Sequence, residues 1–179
     1  MSIPIRRTLA FTALFAAGLA SGLLAAKKFP VSPGLYQGRE PAEAAAALLD
    51  LARQQAGDGS WEVLAVARVH YLTGDKAAGQ ALIDEVLAGK KVAAGDIVRV
   101  ARIYAEAGDW EKAKPHYDRV VAMKPDDQDW LAEAGAHYLV QGDRARAEEL
   151  FGAAFAEDPE SLRNTLRAAG AYLGLRPPA

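Results

Sequence analysis

Three Gly-Asp dipeptides, Gly74-Asp75, Gly108-Asp109 and Gly142-Asp143, stand 34 residues apart. Each closes one run of apolar residues at helical spacing and opens the next. Glycine suits a left-handed C-cap because it has no Cβ to clash. Aspartate suits the N-cap that follows, because its carboxylate accepts from the orphan N–H groups of the new helix. The stretch from Ala101 to Tyr117 shows the unit most plainly, as helix, Gly-Asp turn, helix. A helical hairpin repeated at a fixed period cannot bury its apolar face alone, so the chain is constrained to an all-α stack of such hairpins.

Placing the repeats in register shows which positions packing constrains. Val63, Ile97 and Leu131 align, as do Val66, Val100 and Ala134, then Ala67, Ala101 and Gly135, then His70, Tyr104 and Tyr138. After the Gly-Asp turn come Gly79, Ala113 and Ala147, then Ile83, Tyr117 and Phe151, then Lys91, Pro125 and Pro159. Small residues at fixed places let the two helices of a hairpin approach closely, and large ones fill the space between hairpins. This pattern resembles the tetratricopeptide repeat family over about Ser60 to Pro159. The first repeat departs from it, with His70 for the aromatic, Gly79 for the alanine and Lys91 for the proline. The resemblance implies a right-handed solenoid of three repeats (60–93, 94–127 and 128–159) with a capping helix at each end.

Outside the repeats, Pro41 opens a helix over 41–57 whose stripe is Ala44, Leu48, Leu51 and Ala52, and Gly57-Asp58-Gly59 stops it. It reads as an N-terminal cap. Residues 29–40 hold Pro30, Pro33, Gly34 and Gly38 and read as a linker. Asp158-Pro159-Glu160 starts a final helix within 160–179, with Leu162, Leu166, Ala169 and Leu173 as its expected buried stripe and Arg163 and Arg167 on its outer face.

The first 28 residues carry a different signal. Arg6 and Arg7 precede a 19-residue uncharged stretch, Thr8 to Ala26, and Lys27-Lys28 closes it. Nineteen helical residues span roughly 28 Å, close to a hydrocarbon core. The reading is an uncleaved single-pass anchor. The alternative is an export signal, with Ala20-Ser21-Gly22 and Leu24-Ala25-Ala26 as imperfect cleavage sites. Gly18 and Gly22 form a small-xxx-small pair that could bring two such helices together as a homodimer. With the alanine-rich composition, this places the soluble part on the periplasmic side of a bacterial inner membrane, or free in the periplasm after cleavage.

Several chemistries are excluded by what is missing. The 179 residues include no cysteine and three histidines, and the net charge is -2. Disulfides and thiolate sites are absent, and no Lys/Arg block of the kind that binds nucleic acid appears. His70, His116 and His137 share no i, i+4 face, so no metal site is expected. No nucleophile motif or phosphate loop is present, and no enzyme activity and no cofactor are expected.

What remains is the concave face. In the tetratricopeptide resemblance, helix A residues line a ligand groove, which assigns Trp61, Leu64, Arg68 and Tyr71 from the first repeat, Val98, Arg99, Arg102 and Glu106 from the second, and Asp129, Ala132, Ala136, Leu139 and Val140 from the third. Arg68 and Arg102 stand 34 residues apart, hence in equivalent places, with Arg99 one turn away. Grouped guanidinium groups can bind a carboxylate through charge-assisted bonds, with Trp61, Leu64 and Tyr71 as apolar anchors. The opposing reading is that Glu62, Asp96, Glu106 and Glu133 neutralise these arginines. Trp110 and Trp130 open helices and read as packing residues. The expected function is a non-catalytic adaptor that binds a partner's peptide, possessing a carboxylate, in this groove. The alternative is a structural subunit of an envelope assembly or secretion complex that self-associates.

Overall fold

The computed structural model describes residues 29–177, which form eight α-helices and no strands. After a 3-10 turn at Pro33–Leu35, they are α1 (Pro41–Ala56), α2 (Ser60–Leu72), α3 (Lys76–Leu87), α4 (Ala94–Glu106), α5 (Trp110–Met123), α6 (Gln128–Val140), α7 (Arg144–Glu157) and α8 (Leu162–Tyr172). The protein is all-α. The 19-residue apolar stretch read as an anchor lies outside the described residues. Among those residues, no helix is long and apolar enough to cross a membrane.

Tight turns fold α2 against α3, α4 against α5 and α6 against α7, while α1 and α4 lie on α2 and α8 lies on α6. The turns work as their residue types predict. Gly74, Gly108 and Gly142 take φ of 105°, 77° and 91°. Two of them are closed by a Schellman pair, in which Asp109 N–H donates to the Tyr104 carbonyl at 2.8 Å and Asp143 N–H to that of Tyr138 at 3.0 Å. The carboxylates of Asp75 and Asp143 then cap the next helix, accepting from the N–H of Ala78 and Arg146 at 3.1 Å each. Asp109 breaks the rule. It makes no side-chain cap bond; its carboxylate instead accepts from the Tyr71 hydroxyl at 2.7 Å and pairs with Lys76 at 2.8 Å, tying the first hairpin to the second.

The repeat register is the core. Val63, Ile97, Leu131, Val66, Val100, Ala134, Ala67, Ala101, Ala113, Ala147, Ile83, Tyr117 and Phe151 are all buried. Close approach is set by the small residues. A Cβ added to Gly79 would lie 2.8 Å from the Cβ and N of Tyr71, and one added to Gly135 would lie 3.0 Å from the Phe151 ring. His70, out of place in its register, is half-buried with Nδ1 3.4 Å from the Asp75 carboxylate. Its neighbour Tyr71 is buried instead, edge-on to Tyr104 at 5.3 Å. Trp110 packs against Tyr117 and Tyr138, at 6.2 and 5.1 Å between rings.

The two ends differ from expectation in instructive ways. At the N-terminal end, Ala44, Leu48, Leu51 and Ala52 are only half-buried, and α1 has no fully buried residue. The segment 29–40 is not a bare spacer: Gln55 donates to the Phe29 carbonyl at 2.6 Å and Arg39 to that of Gly34 at 2.8 Å. At the C-terminal end, α8 is turned over. It buries Asn164, Ala168 and Ala171 on α6 and leaves Leu162, Leu166, Ala169 and Leu173 exposed. The physical reason is Glu133 of α6, which is 2% exposed. A buried carboxylate needs cations and donors, and the polar face of α8 brings Arg167 to within 3.9 Å of it.

Candidate functional site

A cleft of about 260 Å³ opens between α2 and α4, lined by Trp61, Leu64, Ala65, Arg68, Arg99, Arg102 and Ile103. The spacing of Trp61, Leu64, Ala65 and Arg68 puts them on one face of α2. Arg99, Arg102 and Ile103 do the same on α4. Its size is at the lower end for ligand pockets, which suits one side chain of a larger ligand rather than a whole small molecule.

Of the eight residues expected in the groove, the cleft brings together Trp61, Leu64, Arg68, Arg99 and Arg102. Three are elsewhere. Tyr71 is buried where the first two hairpins meet, because its hydroxyl reaches Asp109 and the Nζ of Lys112 lies 3.1 Å from it. Val98 is buried in the core, and Leu139 is half-buried against that core. Ala65 and Ile103 line the cleft and were not expected there. Their helical spacing from Trp61 and Arg99, four residues in each case, was the available signal.

The arginines are not equivalent. Arg68 donates through both Nε and Nη2 to Glu106, the Nε bond being 2.7 Å, and this pair lies at the surface. Arg102 makes a bidentate pair with Glu133 at 2.6 Å for each bond. There the carboxylate is buried, and Arg167 closes the far side while donating to the Asp129 carbonyl at 2.9 Å and to the Asn164 amide oxygen at 3.0 Å. Arg102 is therefore committed to structure. Arg99 has no ion pair among the described residues: it donates to the Gly95 carbonyl at 3.0 Å and lies 5.1 Å from the Trp61 ring centre. Trp61 itself is 58% exposed. A cation over an exposed indole is a cation–π pair whose guanidinium edge still faces water.

The buried charge has further neighbours. His137 stacks on Tyr117 at 4.8 Å, and neither its Nε2 nor the Tyr117 hydroxyl has a hydrogen-bond partner. Burial pushes His137 down to about 4, outweighing the opposite pull of Glu133, with Arg102, Arg167 and Arg176 adding to the depression. Burial likewise raises the Tyr117 hydroxyl. At the junction of the first two hairpins, burial and the bond to Asp109 push Tyr71 up to about 12, and Lys76 and Tyr71 hold Asp109 below the usual carboxylate range. His116 is lowered by burial, its ring 5.6 Å from that of Tyr104. The three histidines sit in three different places. Among the described residues, no group of three or more His, Cys, Asp or Glu could hold a metal ion.

In comparison with known proteins, no family model, no curated protein and no solved structure matches this chain.

Proposed function

We propose that the chain is a non-catalytic interaction module, a solenoid of the tetratricopeptide type that holds a partner's peptide in the cleft between α2 and α4. The observation that carries this reading is the Trp61–Arg99 pair, an exposed indole with a guanidinium 5.1 Å away that has no acidic partner among the described residues. A peptide carboxylate can take the open edge of Arg99 by charge-assisted bonds, and a neighbouring apolar side chain can fill the space over Leu64 and Ile103. Arg68 adds a second cation at the cleft's edge, since a surface pair with Glu106 is weak enough to exchange. Arg102 shapes the wall and does not take part in binding. In this reading residues 8–26 hold the module at a bacterial inner membrane, or direct its export, and the hairpins face the periplasm.

The test is selection of peptides from a random library by the immobilised full-length protein. Peptides with a carboxylate beside a large apolar residue should be enriched, and Trp61→Ala/Arg99→Glu should weaken them at least tenfold. A Gln54→Glu control on exposed α1 should leave binding unchanged. Equal binding to the cleft variant, or indifference to amidation of the peptide's carboxylates, overturns the reading.

A further inference from the structure

The apolar stripe of α8 has no covering element among the described residues. Leu162, Leu166 and Leu173 are 71%, 62% and 81% exposed, and Leu175 just beyond the helix is 64% exposed. The register of the repeats shows what kind of surface this is. Leu166 falls 34 residues after Ala132, 68 after Val98 and 102 after Leu64, and all three of those are buried. In α2 this position faces α4 across the cleft. So α8 presents outward the side on which a repeat array receives its next helix, with leucines rather than the polar residues that would close it.

We infer that this face is a two-fold interface, in which α8 packs antiparallel on α8 of a second copy of the chain. Three observations favour a second copy. First, the stripe 162, 166, 169, 173 has spacing 4, 3, 4, which reads the same in both directions. Antiparallel pairing therefore sets Leu162 against the other copy's Leu173 and Leu166 against its Ala169, large against small. Second, Glu160 lies before the helix and Arg176 beyond it, both exposed. The same pairing brings each to its opposite charge in the other copy, twice over. Third, four leucines exposed to this degree present roughly 500 Å², the size of the largest apolar patch on a typical monomer. Two such patches reach the approximately 1,000 Å² that a specific interface needs. The inference does not rest on the peptide-binding reading, which uses the cleft between α2 and α4.

The chain has no cysteine, so engineered thiols report unambiguously. Full-length proteins carrying Leu166→Cys or Ala169→Cys, with different tags, are mixed and oxidised. The expected product is the mixed disulfide dimer. In parallel, sedimentation of the full-length chain in detergent should give two chains, and Leu166→Glu/Leu173→Glu should give one with unchanged helical circular dichroism, since both positions are exposed. A single chain before substitution overturns the inference. So does a dimer that survives the double glutamate, which would place the contact in residues 8–26. Cross-linking of Leu166→Cys to Gln54→Cys on α1, with a ladder of higher masses, overturns it in favour of head-to-tail stacking. Loss of the Leu166→Cys disulfide with capture by phospholipid vesicles overturns it in favour of a membrane surface.

Discussion

Gly79 and Gly152 offer a matched pair of Gly→Ala substitutions with opposite expected signs. Both lie inside helices, α3 and α7, where alanine is favoured over glycine by about 1 kcal/mol. The register of the repeats also recommends alanine at position 79, because Ala113 and Ala147 hold the equivalent places and are fully buried. The structure opposes it. The new methyl carbon would lie 2.8 Å from the Cβ and N of Tyr71 and 2.9 Å from the Ala67 carbonyl oxygen, so backbone must move rather than a flexible side chain. Tyr71 cannot yield easily, since its hydroxyl is held by Asp109. Overpacking of this kind costs about 1–3 kcal/mol, which leaves Gly79→Ala less stable by roughly 1 kcal/mol after the helix gain. A Cβ on Gly152 meets nothing within 4 Å, so Gly152→Ala keeps its gain of about 1 kcal/mol. In a chain of this size each such step moves Tm by about 2–4 °C. Thermal and urea unfolding of the full-length protein, followed by helical circular dichroism, reads both. If Gly79→Ala raises the midpoint as much as Gly152→Ala, the close approach of α2 and α3 is wrong.

Three further outcomes follow from the polar interior. Arg102→Met should cost about 3–5 kcal/mol, because it leaves Glu133 buried with only the more distant Arg167, whereas Arg68→Met should cost at most about 1 kcal/mol at the surface; equal urea midpoints would refute the distinction. His137 is held neutral with its pKa near 4, against about 6.5 when unfolded, so the unfolded chain takes up the proton first as pH falls. The stability this group contributes is whole above about pH 6.5 and is lost progressively down to about pH 4, by roughly 3 kcal/mol. His137→Phe should flatten that part of the stability profile, and an unchanged slope would remove His137 as its source. Finally, asparagine caps a helix as well as aspartate does, so Asp143→Asn should change stability by less than about 0.5 kcal/mol. Asp109→Asn gives up the ion pair with Lys76 and should cost about 1–2 kcal/mol, read from the same denaturation curves.

The arginine triplet shows where sequence reasoning reached its limit. Arg68, Arg99 and Arg102 were legible as a group on the face of two successive helices, and the cleft does gather all three. Which of them can meet a ligand depends on carboxylates 31 and 38 residues away in the chain, Glu133 for Arg102 and Glu106 for Arg68. No local pattern carries that pairing. One signal was present: Glu133 is a lone carboxylate between Leu131 and His137 on a helix otherwise made of apolar and small residues.

What the sequence determined by itself was everything set by short-range physics. Glycine at positive φ and aspartate after it placed the turns, the 3.6-residue period placed the helices, and the 34-residue register named the core from Val63 to Phe151 before any coordinate. The tertiary structure alone decided which face of α8 turned inward. Hydrophobic periodicity favoured Leu162, Leu166 and Leu173, and on a free helix it would have won. Against α6 the choice lies with the carboxylate of Glu133, whose burial without Arg102 and Arg167 would cost more than the exposure of three leucines. A charge far away in sequence settled the orientation because electrostatic cost in a buried site grows with desolvation, which only the packed fold creates.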